Sequence, residues 1–443
     1  MVKSLVNTLF VFALLIPTPA LGQGFQTDNV RGQFLFSFGP FFSRVEGIPV
    51  SVGLRLETVQ DDPWRFEGVI VARAEQDISD NLERIGFRSR VEKSLSNTLF
   101  RVGVTGSWLV ESIEDRGLSD LESSLSGFVF HDDRRDYANR LGGGPYIVVN
   151  PPDSPLAAGI QFRIDDYEAL EAGGPSSIFK SGLWREQPLV AQGMVRSLVT
   201  QIQYDSRPEG DDGSPISAWW ARGELTKGIG GDLTNPTVRE TVSLMPLPDL
   251  PAANSNFTAA EFDVRRYNAI GDVGINFRAS GGGSLTDDPL PAQFQHALGG
   301  DGTLPGYAPF ASDCGARATL VSANDPVLSR FRLFPYYGCD RYVLLQAQVV
   351  GYFGFRLGGT NRRNAWQGPG GFNFNVVPQW TVFFDAGRGW TNLDDTFPGV
   401  RDEDWRYDVG GGLLIDQLGV FAAYPLEGPN KTVKFVLRLQ QRF

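Results

Sequence analysis

VKFVLRLQQRF, residues 433–443, is the stretch that decides the fold. Val433, Phe435, Leu437, Leu439 and Phe443 fall on one face of an extended chain; Lys434, Arg438, Gln440 and Arg442 fall on the other. Side chains of a strand alternate between faces, whereas an amphipathic helix gathers apolar residues every three or four positions. An apolar face ending in an aromatic residue, opposite cations and amides, suits a strand with lipid on one side and a polar interior on the other.

The same period runs back through the chain. Ile48, Val50, Val52, Leu54 and Leu56 alternate with Ser51, Gly53, Arg55 and Glu57. Comparable alternation covers 100–111, 160–165, 198–205, 219–225 and 273–278, with weaker candidates at 64–75, 83–92, 146–149, 261–268, 341–353, 377–387, 407–415 and 418–424. The spacing predicts an all-β protein, an antiparallel transmembrane β-barrel of about 16 strands. Some connections are tight, such as Gln60-Asp61-Asp62-Pro63; others are long and rich in Gly, Pro, Asp and Asn, as at 168–192, 228–260 and 301–340. Short turns at one end and long loops at the other are the habit of such barrels.

The N-terminus reads as an export signal. Lys3 precedes an apolar run from Leu9 to Ile16, then Pro17, Pro19 and the small-x-small pattern Ala20-Leu21-Gly22. That run is too short to span a bilayer as a helix, which takes about 20 residues. A signal peptide over 1–22 and one barrel over 23–443 are therefore expected, placed in the outer membrane of a Gram-negative-type bacterium. Beyond residue 22 every stretch of comparable length is interrupted by charges or glycines, which excludes membrane-spanning helices.

The acidic balance, 51 Asp+Glu against 40 Lys+Arg, argues against nucleic acid as a partner. Outer-membrane lipids, and the assembly machinery that inserts barrels, are the expected partners. An exported chain permits a disulfide, and Cys314 and Cys339 share one Gly/Pro-rich stretch, so a single loop staple is expected. Catalysis has little to draw on. His131 stands in HDDRRDY (His131–Tyr137) and His296 in QHALGG, the only two histidines. Neighbouring aspartates on an extended chain point apart, so His131-Asp132-Asp133 is not itself a dyad. The acidic pairs Asp132-Asp133, Asp211-Asp212, Asp287-Asp288 and Asp394-Asp395 lack the spacing of a calcium loop. No enzyme activity, cofactor or metal is expected.

Three C-terminal stretches, VPQWTVFFDAGRGW (Val377–Trp390), RYDVGGGLLIDQLGVFAAYPLEG (Arg406–Gly428) and the final VKFVLRLQQRF, together resemble the end of the BamA/TamA-type bacterial surface antigen family. A strand ending Asp-x-Gly, a Gly-rich strand, a strand ending Tyr-x-Pro and a last strand ending in an aromatic residue follow in that order. RSLVTQIQYDSRPEGDDGSPISAWWARGEL (Arg196–Leu225) also resembles the family, and FSRVEGIPV (Phe42–Val50) looks like the opening strand of members without periplasmic POTRA domains. The resemblance implies a long external loop folded back toward the lumen, its Val-Arg-Gly-Phe/Tyr tip placing an arginine on the acid of the Asp-x-Gly strand. The matching tip is Leu304-Pro305-Gly306-Tyr307, the acid is Asp385, and Gly387 completes its motif. Phe435, Leu437, Leu439 and Phe443 would form the C-terminal assembly signal.

Pro305 stands where the family has arginine, and proline has neither a side-chain donor nor a backbone N–H. A lumen carboxylate left unpaired is costly, so Asp385 needs another base, with Arg388, Arg406 and other interior arginines as candidates, or the loop docks differently. No POTRA domain is expected ahead of the barrel. The resemblance implies help with protein insertion or translocation at the outer membrane, with an unfolded outer-membrane protein as client. The alternatives are a passive channel or structural barrel plugged by the 301–340 loop, and, less favoured, a surface hydrolase using His131.

Overall fold

The computed structural model describes residues 24–37, 41–73, 85–114, 117–170, 177–179, 184–185, 188, 190–208, 215–235, 253–315, 338–353, 378–392, 402–415, 418–428, 431–439 and 442. The expected signal peptide, the acidic pairs at 211–212 and 394–395, and Phe443 lie outside the described residues.

The described chain forms one 17-stranded antiparallel sheet. Its strands are β1 (Gly24–Gln26), β2 (Val30–Ser37), β3 (Pro49–Thr58), β4 (Trp64–Arg73), β5 (Ile85–Leu95), β6 (Phe100–Ser112), β7 (Tyr137–Val149), β8 (Leu156–Glu168), β9 (Gly193–Asp205), β10 (Ala218–Gly231), β11 (Thr258–Ile270), β12 (Val273–Ser284), β13 (Arg341–Tyr352), β14 (Gln379–Trp390), β15 (Arg406–Ile415), β16 (Leu418–Pro425) and β17 (Lys434–Arg438). Each strand pairs with the next in sequence, from β1–β2 to β16–β17. No register between β17 and β1 or β2 is defined among the described residues.

The alternation read from the sequence is the alternation of the two faces. Val52, Ile70, Val104, Phe277, Val382 and Leu413 are exposed on one face. On the other, Glu92, Asp165, Leu344, Asp385 and Arg438 are buried. The sheet therefore wears its apolar side outward and encloses its charges, the reverse of a water-soluble β-sandwich.

Three expectations need correcting. The opening strand is not FSRVEGIPV: β2 precedes it, and Ser43 and Gly47 exchange backbone hydrogen bonds (2.9 and 3.0 Å) in a tight turn with Gly47 at φ +71°. Such a φ suits glycine, so the strand starts only at Pro49. Second, an α-helix, α1 (Asp120–Phe130), stands in the β6–β7 connection. Its start is a capping box, in which Ser119 Oγ accepts from Glu122 N (3.2 Å) and Glu122 Oε2 accepts from Ser119 N (2.9 Å). The Ser-x-x-Glu signal of Ser119 and Glu122 stands in the sequence, in a stretch that the alternation does not cover. Third, the last strand stops at Arg438, and Leu439 lies in a bend beyond it.

Candidate functional site in the interior

The enclosed side is filled by the long connections rather than left open. α1 is held from two directions. Ser124 Oγ exchanges hydrogen bonds with the Phe42 backbone (3.3 and 3.1 Å), and Phe42 packs on Phe128 with ring centroids 5.5 Å apart. From the other side, Arg438 Nε of β17 meets Glu122 Oε1 at 2.8 Å, and Leu439 N donates to the same oxygen at 2.6 Å. The remaining guanidinium donors of Arg438 go to the carbonyls of Asp301 (2.9 Å) and Gly117 (2.7 Å). The segment entering β3 and the last strand thus meet on one eleven-residue helix. The sheet must curl for both to reach it, so α1 ties the two ends of the meander from within.

A second knot lies beside the helix. Arg44 is fully buried, its Nη2 bonded to Asp136 (2.7 Å), its Nη1 bonded to the carbonyls of Asp133 and Arg135, and its backbone N–H bonded to Asp133 (2.9 Å). Arg185 reaches the same Asp136 carboxylate at 2.6 Å. A buried arginine is tolerated only when carboxylates and carbonyls meet its charge in this way. Here it binds the connections after β2, β6 and β8 into one unit. His131 is the helix C-cap in the left-handed conformation and stacks on Trp184, centroids 3.6 Å apart. Asp132 pairs with Arg134 (2.7 Å), and Asp133 is taken by Arg44 and by the Tyr137 hydroxyl (3.1 Å).

The long connection after β12 enters the interior and docks on β13–β15. Leu304 is fully buried with Leu298, Leu344 and Tyr307. Gly387 makes room for them: a Cβ there would stand 3.0 Å from Leu298 and 3.2 Å from Leu304. Gly306 N donates to Asp408 (2.8 Å), and the Tyr307 hydroxyl donates to the carbonyls of Tyr407 (2.9 Å) and Glu427 (3.3 Å). The tip is therefore held by backbone donors and apolar burial, which Pro305 does not obstruct. The Cys314–Cys339 disulfide ties the chain just past the tip to the residue two before β13. Nearby, Asp340 accepts from the backbone of Leu290 (2.6 Å) and Asn392 (2.8 Å), and burial raises its pKa above the usual carboxylate value. His296 Nδ1 lies 3.0 Å from Glu114. Burial pulls its imidazole pKa down, but the Glu114 bond and the Glu261 charge outweigh it, and the net shift is upward.

Asp385 and Asp408 face each other across β14–β15. The base that meets Asp385 is neither Arg388 nor Arg406. Arg388 Nε bonds the Glu403 carbonyl (2.9 Å), and Arg406 pairs with the Glu403 carboxylate (2.8 Å). Arg442, next to the end of the chain, fills the place instead. Its Nη2 stands 2.6 and 2.5 Å from the two Asp385 oxygens, and its guanidinium lies over the Phe383 ring at 3.6 Å. Gln346 also donates to Asp385 (3.2 Å) and to the Thr303 carbonyl beside the tip (3.0 Å). The interior acid is thus shared by the wall, the loop and the tail. Sequence reading identified Asp385 and the tip but put Arg442 on the polar face of a strand. Nothing in a two-residue period signals that the chain turns inward after Arg438.

The predicted assembly-signal residues divide. Phe435 and Leu437 are exposed on the outer face, whereas Leu439 follows the bend into contact with α1.

No family model matches the chain, and no curated protein matches it. Fifty chains of solved structures match. Among them is CdiB from Escherichia coli, at 14% identity and a TM-score of 0.42, over 96% of this chain and 68% of that one.

Proposed function

We propose that this chain is an integral outer-membrane β-barrel of the BamA/TamA-like kind, which assists insertion or translocation of other proteins through its strands and loops rather than a catalytic residue. The observation that carries the reading is the state of its last strand. β17 has five residues against eight in β16, and the tail beyond it is pinned to an interior acid instead of extending the sheet. A short terminal strand leaves backbone donors and acceptors that an incoming strand could pair with. The docked loop keeps the interior filled meanwhile. The apolar outer face supports placement in a bilayer.

The test is client folding. The mature chain is reconstituted in liposomes, and insertion of a urea-denatured small barrel is timed beside protein-free liposomes. Insertion faster than in empty liposomes is the expected result; equal rates would sink the proposal. A second reading, a passive hydrated channel, draws on the exposed ion pairs lining β3–β5, such as Arg55–Glu67 at 2.7 Å. Steady single-channel conductance with no effect on client insertion would favour it.

A further inference from the structure

We infer that the outer wall carries a binding site for an acidic phospholipid, with Arg266 taking the phosphate and an adjoining groove taking the acyl chains. The inference rests on the membrane reading above and adds a ligand to it.

Arg266 is on the wrong face. Along β11, Phe262, Val264, Arg266, Asn268 and Ile270 share the outward side, while Asp263, Arg265 and Tyr267 point inward. Its cross-strand partners are Trp219 of β10 and Phe277 of β12, both exposed outward. Interior arginines of the same region have carboxylates. Arg265 and Arg278 both meet Asp263 (2.7 and 3.0 Å), and Arg222 meets Glu224 (3.0 Å). Arg266 meets none among the described residues. Its Nε donates to the neutral Asn268 amide (2.8 Å), and its guanidinium lies over Trp219 at 5.0 Å.

An arginine facing hydrocarbon is costly to a degree that grows with depth. Arg266 sits four residues from the end of β11 at Ile270, about 13 Å along the strand from the short-turn end. Asn268 lies two residues nearer that end and draws the guanidinium toward it, as long cationic side chains do at membrane interfaces. Trp219, near the start of β10, occupies the level where aromatic girdles sit. The remaining donors of the fork are placed where a lipid phosphate of that leaflet would lie, and a planar guanidinium suits phosphate oxygens.

The groove supplies the other half. It has a volume of about 470 Å³; its apolar lining is Val264, Phe277, Ala279, Leu345, Ala347 and Phe384, and Trp219, Arg266, Arg278 and Gln346 also border it. Ala279 and Ala347, flanked by larger side chains, leave it sunken. It starts at the level of Arg266 and extends away from the short turns, from a cation into an apolar trough. Charge complementarity selects an anionic headgroup, and the trough selects chains over a free anion.

The test is native mass spectrometry of the full chain released from micelles containing equal phosphatidylglycerol and phosphatidylcholine. Wild type should retain one phosphatidylglycerol in about tenfold preference, because both lipids offer a phosphate and only phosphatidylcholine adds a trimethylammonium that opposes the Arg266 charge. Arg266→Gln should lose the preference, and the interior-facing Arg88→Gln should keep it. Ala347→Trp, which fills the trough without changing charge, should weaken retention as well, so the test survives if one variant folds poorly. Millimolar inorganic phosphate should not displace the lipid; displacement would mean a simple anion site and would overturn the inference. Equal retention of both lipids by wild type, or unchanged preference in Arg266→Gln, would overturn it too. Failure of the chain to enter bilayers at all, seen by flotation, would instead strike the membrane reading itself.

Discussion

The wall over β3–β5 and the wall over β13–β17 use the same chemistry to opposite ends. In the first, arginines and glutamates form a ladder: Arg55–Glu67, Arg65–Glu57 and Arg88–Glu67. The Arg55 and Arg88 side chains are 50% and 59% exposed. In the second, the members of Arg438–Glu122 and Arg442–Asp385 are 7% exposed or less. Solvated pairs contribute little, with a median of about 0–1 kcal/mol. Breaking a buried pair by removing one partner costs about 3–5 kcal/mol, because the survivor is left charged without water or a counter-ion. The first wall is hydrated lining, and the second is a fastening.

The largest effect should therefore come from the tail. Arg442→Gln leaves Asp385 buried with only Gln346 and Asp408 beside it, and should destabilise the docked loop by about 3–5 kcal/mol. Limited proteolysis within the loop, or urea unfolding in detergent, reads the change. An unchanged protease pattern would mean that the tail does not hold the loop. Pro305→Arg in the Arg442→Gln background should recover part of the loss, because position 305 adjoins Gly306, which already contacts the Asp408 carboxylate. A double variant no better than the single one would show that the tip cannot reach Asp385.

Next in size is the disulfide. Cys314 and Cys339 are 25 residues apart, and in the chain-entropy model closing such a loop contributes about 3–4 kcal/mol, less any native strain. Cys314→Ser/Cys339→Ser should lower the urea midpoint while Gly306 stays docked, since the tip has its own bonds. Loss of tip protection together with the disulfide would mean that the two act as one unit.

A smaller, pH-dependent effect belongs to His296. Its folded pKa is raised, with Glu114 and Glu261 as the charges that face it, Asp340 nearby, and the Tyr342 ring 4.6 Å away. A raised folded pKa means that the stabilisation is fully present below the unfolded value near 6.5 and fades as pH rises through the folded value. Loop protection should decline over that window, and Glu114→Gln should flatten the decline. A profile unaffected by Glu114→Gln would remove the pair from the account.

These contrasts also mark how much the sequence could say. Two-residue alternation fixes which side chain faces which way, and it placed nearly every strand from β3 to β16. The family resemblance, not the period, singled out Asp385, Gly387 and the Leu304–Tyr307 tip as parts to be brought together. What the period could not carry is contact between residues hundreds of positions apart. Glu122 and Arg438 are 316 residues apart, and no local pattern joins them. The helix was legible through Ser119 and Glu122, but a capping box is a weak signal inside a chain dominated by strands. β2 was missed although Phe34 and Phe36 alternate with Gln33, Leu35 and Ser37, because Leu35 is apolar on the interior face and blurs the period.

The smallest prediction bears on the hydrated wall. Arg55→Gln removes two bonds to one Glu67 oxygen, Oε2, from Nε at 3.0 Å and Nη2 at 2.7 Å. Arg88 still meets the other Glu67 oxygen at 3.3 Å, and water reaches Arg55 itself. The stability change should be within about 0.5 kcal/mol. If the interior conducts, the variant should nevertheless shift ion selectivity toward cations, because it removes a positive charge from the path. A stability loss comparable to that of Arg442→Gln would erase the distinction between the two walls. A selectivity change with unaltered stability would assign the ladder to the permeation path and the buried pairs to closure.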